Sequence, residues 1–147
     1  VEPGVSMALR KTQSFPVNVV APELHRGVDL QQEWGRLFKR PPRIPQAGIA
    51  AVGAVRQHPE VLAAVQKAYA ASVAWCRANP LECGQLVAQY VDLLTPEAVA
   101  DALPHSQLEA VPVAAARSEI DFFYQQLFAQ NPSLLGGKLP DAGLFGG

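Results

Sequence analysis

The sequence predicts a helix-weighted α/β protein, and three observations predict it. Two short strand-like segments lie within the first 56 residues, one β-branched and bounded by prolines, the other with Pro45 near its start. From residue 57 onward the apolar residues recur at helical spacing, between helix starts that share one grammar. The composition, 49% hydrophobic and 17% charged with heavy use of alanine, suits helices packed through small side chains around one sizeable core. The expected organisation is therefore a segment 1–56 carrying two strands, followed by a helical part 57–147.

Each element has a local reason. Pro3-Gly4 marks a turn into a short helix that stops near Lys11. Val17-Asn18-Val19-Val20, after Pro16, reads as a strand. Asp29 has the side chain of an N-cap for a helix through Phe38, with Leu30, Trp34 and Leu37/Phe38 on one face and Pro41-Pro42 to end it. The segment 44–52 reads as a second strand, with Pro45 near its start, where a missing donor is tolerated.

Three later helices open on a capping-type residue followed by proline: His58-Pro59, Asn79-Pro80 and Thr95-Pro96. Proline suits the first helical position, because its missing N–H would be unpaired there anyway. Glu60, Glu82 and Glu97 then place negative charge against the positive helix end. Asn79 and Glu82 also have capping-box spacing. The expected helices run over 59–78, 80–93, 96–103 and 113–130, and the Gly- and Pro-rich tail 131–147 is expected to wrap as an extended or mobile segment.

Charge and motifs exclude several function classes. The net charge of −1 gives no global attraction to nucleic acid or to an anionic membrane. Its distribution is uneven: residues 1–56 hold eight Lys/Arg against four Asp/Glu, and residues 57–147 hold four against nine. A basic first segment can attract an anion; the plainer reading is solvated surface charge. No apolar run reaches the roughly 18–20 residues of a membrane span. The chain opens on Val1 without a charged and then apolar leader, so it is read as a processed product or an excised piece whose signal peptide is gone.

His25, His58 and His105 show no metal-ligand spacing, and there is no Gly-x-Ser-x-Gly elbow or glycine-rich phosphate loop. Catalytic residues, metals and cofactors are accordingly expected to be none. Trp34 and Trp75, with apolar neighbours at helical spacing, are expected to pack rather than to stack on a ligand.

The order of the elements resembles the C-terminal half of the solute-binding proteins that serve nitrate, sulfonate, taurine and thiamine-precursor ABC importers. The residues that carry the resemblance are Val1-Glu2-Pro3-Gly4-Val5-Ser6, Val17-Asn18-Val19-Val20, Ile44-Pro45-Gln46-Ala47-Gly48-Ile49, His58-Pro59-Glu60-Val61 and Ala74-Trp75-Cys76-Arg77-Ala78-Asn79-Pro80, with Leu139-Pro140-Asp141 near the end. The resemblance implies part of a two-lobed, type II periplasmic binding fold, with the first lobe largely missing and 1–56 forming the lobe crossing with its hinge strands. It implies a non-catalytic receptor, periplasmic or otherwise exported (lipid-anchored or soluble). In the full-length protein a small polar ligand would be trapped by lobe closure, and the closed form would dock on an ABC permease.

On that resemblance Glu2 lies near the cleft, where its carboxylate can accept from an ammonium or a pyrimidine amine; the alternative is an exposed residue near a terminus. Gln46 offers a donor and an acceptor, while Ala47 and Gly48 allow close backbone approach; the alternative is an ordinary hinge strand. Enzymatic relatives in thiamine-precursor synthesis carry a dense cysteine cluster, which this chain lacks.

Cys76 closes one helix and Cys83 opens the next, and by periodicity both point into the hairpin. A disulfide is expected in an oxidising compartment, the alternative being two buried thiols acting as small hydrophobes. Two further readings stand beside the receptor. One is a helical protein–protein interaction domain with no small ligand. The other, third in order, is a thiamine-precursor enzyme of the same superfamily as the importer receptors. Should the chain be a fragment, it exposes surface meant for its absent half, and a homodimer or strand exchange is expected.

Overall fold

A computed structural model of the chain describes residues 2–20 and 23–145. Among the described residues there are six α-helices: α1 (Gly4–Gln13), α2 (Leu30–Phe38), α3 (Pro59–Ala78), α4 (Pro80–Ala88), α5 (Pro96–Ala102) and α6 (Val113–Gln130). Short 3-10 turns stand between and after them, and no strand occurs among the described residues. The expected α/β class is therefore corrected to an all-helical one. With no sheet, the type II periplasmic binding architecture and its hinge strands are corrected too.

The physical reason lies in what a strand needs. Valine-rich segments favour strands because they pack on a pleated neighbour, and the preference means little without one. Val17–Val19 instead curls into a single 3-10 turn, in which the Val19 N–H donates to the Pro16 carbonyl (3.2 Å) and the Val20 N–H to the Val17 carbonyl (3.1 Å). In the segment 44–52, the Gln31 side-chain amide takes the place of a partner strand at Ile44. Its carbonyl oxygen accepts the Ile44 N–H, and its nitrogen donates to the Ile44 carbonyl (3.4 Å). The rest of that segment is coil up to the 3-10 turn Gly53–Gln57.

The helix starts follow the local grammar closely. Asp29 accepts from the Gln31 N–H (2.9 Å) and the Gln32 N–H (3.4 Å), two of the donors that the first turn of α2 leaves open. Thr95 accepts from the Ala98 N–H (3.3 Å) and caps α5. Asn79 departs from the expected capping box: its side chain turns back and donates to the Trp75 carbonyl (2.9 Å), closing α3 rather than capping α4. Helix α4 stops at Ala88, several residues short of the expected 93, in a tightened turn with the Tyr90 N–H on the Val87 carbonyl. The tail carries two 3-10 turns, Pro132–Leu135 and Ala142–Phe145.

The chain forms two compact units that are discontinuous in sequence. The first comprises Val1–Val28 and Ala63–Ala110, the second Asp29–Leu62 and Val111–Gly147. In the first unit α4 and α5 pack closely, and α1 packs on α5. Its buried apolar residues are Val73, Cys83, Ala98, Val99 and Ala102, of which Ala98 is 0% exposed. The contact is close because the facing side chains are small, and Gly84 makes it possible. A Cβ at Gly84 would collide with the backbone of Pro96, whose Cα would stand only 2.8 Å away. An ion pair from Arg10 on α1 to Asp101 on α5 (2.5 Å) lies at the exposed edge of this packing.

The second unit is built on aromatics. Trp34 meets Phe38 (ring centroids 4.5 Å apart), Phe122 (5.6 Å) and Phe123 (5.9 Å), the latter two edge-on, and so joins α2 to α6. Both α2 aromatics thus pack, as their helical spacing predicts.

Candidate functional site

Glu2 is committed to its own unit. Its Oε1 accepts from Arg26 Nη2 (2.8 Å) and Nε (3.1 Å), and its Oε2 accepts the Ser6 N–H (3.0 Å). Arg26 Nη2 also donates to the Ser6 hydroxyl (2.7 Å), and Ser6 is itself buried. The Glu2 side chain is 12% exposed. Burial by itself would raise its carboxyl; the hydrogen bonds from Arg26 and Ser6, and the Arg26 charge, outweigh that and hold it below the ordinary value. A carboxylate bridged in this way staples the start of the chain to residue 26. Gln46, Ala47 and Gly48 belong to the second unit and are exposed coil, so they supply no strand edge.

The bridge has a pH signature. A carboxyl whose pKa is lowered by folding stabilises the fold above its unfolded value, and that stability is lost as pH falls through its folded value. The ordinary value is 4.5, so the contribution is complete near neutrality and fades at pH below it. Glu2→Gln should cost about 1 kcal/mol at pH 7, discounted for screening at the more exposed Arg26. Urea unfolding at pH 7 and pH 3 checks this: the gap between wild type and variant should narrow at the lower pH, and a gap independent of pH would contradict the bridge.

The Cys76–Cys83 disulfide joins the end of α3 to the start of α4, with Cα atoms 5.0 Å apart. Closing so short a loop contributes about 2.5 kcal/mol on the chain-entropy model. Against it lies a largely apolar groove of about 400 Å³, walled by Ala71, Ser72, Trp75, Cys76, Cys83, Leu86 and Val87. No charged side chain lines it. Trp75 is 42% and Leu86 49% exposed, so the groove opens two large apolar side chains to solvent. Trp75 therefore forms part of a surface instead of a core. Sequence reasoning found the two cysteines but not the groove; the signal was a tryptophan beside one cysteine and a leucine one turn after the other.

A second concavity, of about 460 Å³, lies wholly in the second unit and is polar. Residues Arg117, Asp121 and Gln125 follow one another at intervals of four along α6, and Ser118, Phe122 and Arg40 complete its wall. The Arg40 guanidinium lies 4.4 Å from the Phe122 ring centre and donates to the Ser118 hydroxyl (2.9 Å). Arg117 lies 4.6 Å from the Phe145 ring centre, with Asp121 Oδ2 3.5 Å from its Nε. The two arginines are 77 positions apart, and no motif announces them. The one hint was the basic excess of residues 1–56, to which Arg40 belongs.

Among the described residues no group of three or more His, Cys, Asp or Glu side chains could hold a metal ion. No described helix is long and apolar enough to cross a membrane. No protein-family model matches the chain, and no curated protein and no solved structure matches it significantly.

Proposed function

We propose that this protein is a non-catalytic, disulfide-stapled helical interaction domain, which docks another polypeptide through the apolar groove between α3 and α4. The observation that carries the reading is the groove itself. A concave wall without charge, with Trp75 and Leu86 open to solvent, is what an interface uses and what an isolated surface avoids. The disulfide holds both walls in register, so little ordering cost is left for the binding step. The bound element would be an apolar helix or extended segment, which fits a groove of this size and lining.

In purified protein an apolar face of this kind reports itself by self-association. Light scattering across a wide concentration range should show a mass rising above the 15.7 kDa of one chain, and Leu86→Asp should restore the monomer. A monomer at every concentration that also fails to bind an apolar dye would overturn the reading.

A second reading is favoured by the disulfide together with the three proline-led helix starts. A short-loop disulfide is stable in an oxidising compartment, and the helix starts at Pro59 and Pro80 are among the features that resemble the importer receptors. On this reading the chain is an exported, helical part of a receptor for a small polar solute. Thermal-shift screening against taurine, alkanesulfonates, nitrate and aminopyrimidines tests it, and the absence of any shift counts against it.

A further inference from the structure

The polar cleft of the second unit plays no part in the interaction surface, yet it is organised. We propose that it binds a small monocarboxylate with an apolar body, whose carboxylate is held between Arg40 and Arg117 and whose body lies on Phe122.

Four observations lead there. First, both guanidiniums are already held. Arg40 is fixed over Phe122, and through Nη2 alone it donates to the Ser118 hydroxyl and carbonyl (2.9 and 3.3 Å). The other edge of its fork is left for a ligand. Arg117 rests over the Phe145 ring, with its side chain 47% exposed. Side chains ordered in advance lose little rotamer entropy when a ligand arrives.

Second, Arg117 is only partly neutralised. Asp121 approaches its Nε at 3.5 Å, at the long limit for a hydrogen bond and far from the bidentate geometry of a satisfied arginine–carboxylate pair. Third, two arginines against one aspartate leave a single positive charge in the cleft. One negative charge is thus matched, while a dianion would face Asp121 with a charge to spare. Fourth, the planar guanidinium fork fits a planar carboxylate in two parallel bonds. The part of the Phe122 ring that Arg40, Trp34 and Phe38 leave uncovered lies in the cleft wall beside it, and the Gln125 amide can donate to a remaining oxygen. The concavity, about 460 Å³, is shallow and open, so a benzoate-sized molecule would lie against its wall with one side in water.

The probe is sodium benzoate, titrated into the full chain while the arginine Nε–H resonances are followed by NMR, with sodium chloride at matched ionic strength as control. Saturable shifts of the Arg40 and Arg117 signals in the millimolar range are expected, with no effect of chloride. Arg117→Gln should weaken binding at least tenfold, and Arg117→Lys, which keeps the charge and loses the fork, should weaken it nearly as much. Unchanged ring-shifted signals of the Trp34 cluster show that the second unit of each variant is folded. Inorganic phosphate, largely dianionic at pH 7.5, should not displace benzoate. Shifts reproduced by chloride, full affinity in Arg117→Lys, or phosphate binding in place of benzoate would each overturn the proposal.

Discussion

Gly84→Ala should destabilise the first unit by more than about 3 kcal/mol, at or beyond the upper end of the range for overpacked cores. The added methyl group meets the Pro96 backbone carbonyl, not a side-chain tip that can swing away. Relief requires α5 to move off α4, and that movement opens the contact burying Cys83, Ala98, Val99 and Ala102. Helix propensity acts the other way, since alanine is better than glycine inside a helix by up to about 1 kcal/mol. The steric term wins because it is spread over a whole helix pair. Gly4 in α1 provides the control, because a Cβ there meets nothing within 4 Å, and Gly4→Ala should be neutral or stabilising. Hydrogen exchange over 80–102 reads the effect locally; exchange as slow as in wild type would show that α4 and α5 are not so close.

Trp34→Ala should cost the second unit about 3 kcal/mol, the low end of the range for a core tryptophan, because the side chain is only half-buried. Trp34 touches Phe38 on its own helix and Phe122 and Phe123 on α6, so its removal opens a gap between the two helices. Phe38 still meets Phe122 (5.2 Å) and keeps part of the contact. Trp34→Phe should recover more than half of the loss, since a smaller ring restores edge-on contact with less area. Near-ultraviolet circular dichroism and urea unfolding of both variants measure the difference. An alanine variant as stable as wild type would mean that the cluster is only surface decoration. Glycine in one unit and tryptophan in the other thus mark two ways of joining helices, by close backbone approach and by interlocking rings.

Helix positions were legible because their signals are local. Asp29 bonds donors two and three residues away, and Thr95 one three residues away. Pro59, Pro80 and Pro96 need only their own fixed φ to open a helix. The disulfide was legible for the same reason, its partners standing seven residues apart across one tight turn. Asn79 shows the limit even of short-range reading: the cap spacing was present, but its amide found the Trp75 carbonyl nearer to hand.

The two strand-like segments form no strand because strand formation is settled by a partner. Val17–Val19 and the segment after Ile44 have the residues of strands, yet no neighbour presents a ladder to them. One is closed by its own turn, and the other is held at Ile44 by a glutamine side chain. Glu2 was singled out for a ligand, and its acceptors went to Arg26 and Ser6. The polar cleft went unseen because Arg40 and Arg117 meet only when α2 and α6 pack through Trp34.

For this protein the sequence alone determined where helices begin and that Trp34 and Phe38 of α2 pack, while Leu30 and Leu37, expected on the same face, stay 70% and 67% exposed. These depend on contacts within about two turns of chain. Only the tertiary structure decided that no sheet forms among the described residues, that Gly84 admits the backbone of α5, and that an uncharged groove and an arginine-walled cleft exist. Those features join residues far apart in the chain, and their free energy appears only when the elements carrying them are already packed together.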